Sequence, residues 1–60
     1  MIALGVKVRD KETGFKGIVT ARAEYLYDEP TLLVESIDDT GRPIEWWYKE
    51  KRIEILNENE

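Results

Sequence analysis

Gly17-Ile18-Val19-Thr20-Ala21-Arg22-Ala23-Glu24-Tyr25-Leu26-Tyr27 is the stretch on which the fold class turns. Read with period two, Val19, Ala21, Ala23, Tyr25 and Tyr27 share one face, and Thr20, Arg22 and Glu24 share the other. Read as a helix, the Ala-Arg-Ala-Glu segment has good propensity. The β-branched run Ile18-Val19-Thr20 and the two tyrosines favour a strand instead. Small alanines also suit the crowded interior of a small barrel. A strand from Gly17 to Tyr27 makes the whole chain all-β.

The flanking segments agree. Upstream, Val6-Lys7-Val8-Arg9 alternates apolar and charged residues, which predicts a half-buried strand with Val6 and Val8 inward. Asp10-Lys11-Glu12-Thr13-Gly14 is turn chemistry, with Gly14 free to take positive φ, and Phe15 beyond it is expected to act as a lid on the core. Downstream, Asp28-Glu29-Pro30 ends the long strand, because proline cannot continue a central ladder. A third strand is expected over Thr31–Ser36, a hairpin turn at Asp38-Asp39-Thr40-Gly41 and a fourth strand over Ile44–Tyr48. Lys49-Glu50-Lys51 reads as a short polar link with room for one 3₁₀ turn, and Ile53-Glu54-Ile55 as a fifth strand. Five short strands must manage their exposed edges, and closing into a small barrel is the economical way. The expected architecture is therefore a five-stranded SH3-like barrel over residues 1–56, with a frayed acidic tail at 57–60.

Composition narrows the chemistry. A chain of 60 residues buries only about 60% of its unfolded surface, so nearly every large apolar side chain must contribute to the core. Cysteine and histidine are both absent, which leaves no disulfide, no imidazole base and no ordinary zinc ligand set. Ser36 and the threonines have no histidine to activate them. Asp38-Asp39 lacks the alternate acids and distal glutamate of a calcium loop. No cofactor and no enzymatic activity are expected. The apolar opening Ile2-Ala3-Leu4-Gly5 is too short for a signal peptide or a membrane span, so the expected location is cytoplasmic. The net charge of −4 opposes bulk attraction to phosphate backbones.

Val6-Lys7-Val8-Arg9-Asp10 followed by Thr13-Gly14-Phe15-Lys16-Gly17-Ile18-Val19 resembles the first hairpin of KOW-type and other SH3-like barrels. The run Asp10–Gly17, with Ala21-Arg22-Ala23-Glu24-Tyr25, Glu45-Trp46-Trp47 and Arg52-Ile53-Glu54, also resembles small bacteriophage and prophage proteins with an SH3-like barrel. That likeness spans most of the chain. It implies a fold and a phage-linked origin, and no activity. Ala23-Glu24-Tyr25-Leu26-Tyr27-Asp28 with Trp46-Trp47 resembles the proline-binding motifs of eukaryotic SH3 domains. Here, however, the tyrosine-rich motif follows two β segments and the Gly…Pro…Asn-Tyr segment is missing, which argues against proline-peptide recognition.

Two candidate surfaces follow. If Ile44, Trp46 and Tyr48 pack inside, Trp47 points outward. With Leu33 and Ile18 it would form an apolar stripe suited to a protein partner or to self-association. The bland reading has Trp47 covering a barrel end against Leu33 or Phe15. Alternatively, Lys7, Arg9, Lys16 and Arg22 would form a KOW-like nucleic-acid face, blunted by the interleaved Asp10, Glu12 and Glu24. A third expectation is an oligomer that captures a nucleotide-like signal, with Trp or Tyr stacking on a base.

Overall fold

β-Branched and aromatic residues dictate where the backbone extends, and glycine and proline dictate where it stops. The computed structural model describes residues 2–56. Its strands are β1 (Lys7–Asp10), β2 (Lys16–Ala23), β3 (Thr31–Ile37), β4 (Pro43–Lys49) and β5 (Ile53–Ile55). A single 3₁₀ turn, Glu50–Arg52, joins β4 to β5. The protein is all-β, with every ladder antiparallel in one five-stranded sheet of order β4-β3-β2-β1-β5. β4 and β5 are the sheet's two edges. The expected tail at 57–60 lies outside the described residues.

The turns behave as their residues require. Gly14 and Gly41 both take positive φ, at 81° and 87°. Asp38 organises the β3–β4 hairpin by accepting hydrogen bonds on Oδ1 from Thr40 N, Thr40 Oγ1 and Arg42 N. Its carboxyl is held below the usual range by the Thr40 hydroxyl and the backbone amides around it.

One face of the sheet carries the core: Val8, Val19, Leu32 and Val34, closed by Ile2 and Ile53, with Val6, Phe15 and Tyr48 packed against them. Phe15 sits over this core with its ring 5.9 Å from Tyr48, as a lid residue should. Gly17 lies on the same face, opposite Val8. A Cβ there would stand 2.3 Å from the Glu35 carbonyl oxygen and 2.9 Å from a Val34 methyl. Only glycine lets β2 approach β3 this closely.

Two sequence expectations need correction. The second strand ends at Ala23 rather than Tyr27, and its facing inverts part-way. Val19 pairs with Val34, but the next pair is Ala21 with Leu33, so β2 spends an extra residue, Thr20, against β3. This β-bulge shifts the parity of everything beyond it. Arg22, expected outside, lies opposite buried Leu32 on the core face; Ala21, expected inside, lies opposite Leu33 on the outer face. Trp46 is the second correction. It shares the core face with its partner Val34, yet 61% of its surface is exposed. Its neighbour on that face, Tyr48, is covered by Phe15 and by the Arg52 guanidinium, 5.4 Å from the ring centroid. Among the described residues, no comparable ring or guanidinium contact is made with Trp46 on the edge strand.

Candidate functional site

The outer face of the sheet holds most of the candidate residues. Register places Leu33 directly opposite Trp47, and Ala21 opposite Leu33 on its other side. Ile18 lies opposite Glu35, the residue two positions from Leu33 and therefore on the same face. The three apolar candidates thus share one surface. Leu33 and Ile18 are half-buried by their neighbours, while Trp47 is 53% exposed. Trp47 has mid-strand Leu33 as its cross-strand partner.

Tyr25 joins this surface, whereas the period-two reading put it on the face of Val19. Its hydroxyl lies 3.1 Å from Thr31 Oγ1, and about half of the residue is exposed. Thr31 pairs with Ala23 and Lys49, in the row next to the Ala21–Leu33–Trp47 row. The bulge at Thr20 was the missing signal, and nothing in an alternating apolar pattern announces an extra residue. Beyond Ile18 the surface dips into a groove of about 730 Å³ lined by Lys7, Lys16, Ile18, Glu35, Ile37 and Pro43.

The basic candidates divide. Lys7, Arg9 and Lys16 share the outer face, with Arg9 opposite Lys16 and Lys7 opposite Ile18. Arg9 is in an ion pair with its cross-strand neighbour Glu54. Arg22 is separated from them on the core face. Its guanidinium donates to Glu50 at 2.8 Å, to Glu24 at 2.9 Å and to the Ile2 carbonyl at 3.4 Å. Glu50, in turn, accepts from the Ile2 amide at 2.9 Å. The Arg22 hydrogen bonds and that amide hold the Glu50 carboxyl below its ordinary range. This cluster ties the N-terminal segment to the 3₁₀ turn, a structural task.

The same holds for the most buried charge. Asp10 is fully enclosed and accepts two hydrogen bonds from Arg52, at 2.7 and 2.9 Å, and two from Thr13. The Arg52 hydrogen bonds, helped by Thr13, hold its carboxyl far below the usual carboxylate range despite the opposing cost of burial. No buried side-chain polar atom among the described residues lacks a hydrogen-bond partner. Nor do the described residues include a group of acids arranged to hold a metal ion. The outer face presents an apolar, aromatic surface with charged residues at its margin.

Compared with known proteins, the chain matches no family model, no curated protein and no solved structure.

Proposed function

We propose that this protein is a non-catalytic binding module whose outer sheet face, centred on Trp47, Leu33 and Ile18, docks a protein partner. One observation carries the reading: an indole left more than half exposed beside a half-buried leucine on a regular sheet. Covering the exposed part of Trp47, on the order of 100 Å², is worth roughly 2–3 kcal/mol. That is the size of contribution expected of an interface anchor. The apolar groove beyond Ile18, with Lys7 and Lys16 at its margin, extends the face and supplies a charged rim. The resemblance to small phage and prophage SH3-like proteins supports an accessory role against a host or virion protein. The nucleic-acid alternative has less support. Of its four residues, Arg22 serves Glu50 on the other face and Arg9 is neutralised by Glu54.

The test is a comparison of wild type and Trp47→Ala in capture from nuclease-treated bacterial lysate, read by mass spectrometry. A defined protein captured by the wild type should bind the variant roughly thirtyfold more weakly, with an unchanged far-ultraviolet spectrum. Equal capture by the variant removes Trp47 from the site. Capture that vanishes on nuclease treatment overturns the protein-partner reading in favour of nucleic acid.

A further inference from the structure

β4 is a sheet edge of seven residues, carrying Trp46 and Trp47 exposed on opposite faces. Long apolar edges template pairing with another chain unless something blunts them. The other edge, β5, is blunted by its length of three residues. On β4 Pro43 blunts one end, and the charges Glu45 and Lys49 guard the edge only against a strand that does not present their opposites.

The backbone groups that β4 leaves unpaired can be identified. Asp38 N donates to Arg42 O just beyond one end of the β3–β4 ladder, and Glu50 N donates to Pro30 O just beyond the other. Antiparallel pairs alternate between hydrogen-bonded and non-hydrogen-bonded. Ile44, Trp46 and Tyr48 therefore bond to β3, while Glu45, Trp47 and Lys49 turn their N–H and C=O groups away from it. A second antiparallel β4 can meet those groups in the register centred on Trp47. In that register Trp47 faces the second copy's Trp47, and Glu45 faces the second copy's Lys49 twice over by symmetry. Every such pair joins residues whose backbone groups point outward. On the opposite face Trp46 meets the second copy's Tyr48.

Charge argues for the same register. Glu45 lies directly opposite Glu35 within the protein's own sheet, a like-charge pair that is unfavourable. Neither glutamate has a salt bridge or side-chain hydrogen bond among the described residues. Among the described residues, the Lys49 ammonium makes only a long, exposed contact with Asp28, at 3.8 Å. A lysine from across the edge supplies the cation that Glu45 lacks. A register shifted by two residues, which again pairs outward-pointing groups, would set Glu45 against Trp47 and lose this match.

We infer that β4 is a self-pairing edge, joining two copies of this chain into a continuous antiparallel sheet through the register Glu45–Lys49, Trp47–Trp47, Lys49–Glu45. The two outer faces then form one surface. The inference uses the strand's edge and does not rest on what that face binds.

Sedimentation velocity across a concentration series tests it, with a charge swap to identify the register. Wild type is expected to dimerise. Glu45→Lys sets lysine against lysine across the edge and should weaken the dimer roughly tenfold or more. Its own sheet is not harmed, because the new lysine faces Glu35. The double variant Glu45→Lys/Lys49→Glu restores opposite charges in this register and should restore dimerisation. A wild type that stays monomeric up to hundreds of micromolar overturns the inference. So does a dimer indifferent to Glu45→Lys, or one that the double variant fails to recover.

Discussion

Gly17→Ala is expected to remove most of the protein's stability at room temperature. The added methyl would stand 2.3 Å from the Glu35 carbonyl oxygen and 2.9 Å from both the Glu35 carbonyl carbon and a Val34 methyl. Two of those three atoms are backbone, so no rotamer change relieves the clash. β2 must move away from β3 where Ile18–Glu35 and Val19–Val34 pair, at the centre of the sheet. Overpacking that forces backbone shifts costs about 3 kcal/mol. A domain of this size rarely holds more than about 3–5 kcal/mol in total. The measurement is a thermal melt by circular dichroism, with an amide correlation spectrum at 25 °C. A variant with wild-type dispersion and a melting temperature within a few degrees of wild type would show that β2 and β3 separate easily. Gly14→Ala is the control. A Cβ there meets nothing within 4 Å, and only its positive φ of 81° is strained. Its cost should be about 1 kcal/mol, and it should fold.

The second large effect belongs to Asp10. Its carboxylate holds the β1–β2 turn through Thr13 and anchors the 3₁₀ turn through Arg52. The Lys11 amide reinforces the join by donating to the Arg52 carbonyl. Asp10→Ala removes one partner of a buried pair and leaves the Thr13 groups and the Arg52 guanidinium without their acceptor. Arg52 is partly exposed and recovers some hydration, so the expected loss is about 2–3 kcal/mol rather than the larger cost of a fully buried orphan. That corresponds to a fall of roughly 10–20 °C in melting temperature.

The same residue sets the acid response. The folded-state pKa of Asp10 is depressed, so its stabilisation is fully present above the unfolded value of about 4 and is lost as pH falls below that toward the folded value. Glu50 is depressed too and acts in the same direction. Wild type should therefore keep a flat melting temperature from neutral pH down to about pH 5 and lose stability steadily below about pH 4. Asp10→Asn should start lower and fall less steeply. Parallel acid limbs in the two proteins would show that Asp10 does not carry the response.

Much of the architecture is legible in short-range chemistry. Alternation in Val6–Arg9, turn residues at Asp10–Gly14 and Asp38–Gly41, and the breaker at Asp28–Pro30 place the strands to within a residue or two, the end of β2 apart. Each of these signals is local, because a turn needs particular residues at particular positions whatever surrounds it. The outward facing of Trp47, Leu33 and Ile18 is also local, since parity holds along an unbroken strand.

Only the tertiary structure decided the rest. The bulge at Thr20 appears only where β2 meets β3. It exchanges the faces of Ala21 and Arg22 and frees Tyr25 for the outer surface. Trp46 has the right parity for the core but lies on an edge strand where no second layer covers it, so its burial depended on neighbours rather than on period. Arg22 and Asp10 read in sequence as surface charges. Glu50 and Arg52, 28 and 42 residues away along the chain, make them internal ties. Alternation and turn chemistry are properties of neighbouring residues and can be read from their order. Coverage, bulging and charge pairing depend on which distant segment arrives at a given place, and that is set only when the sheet assembles.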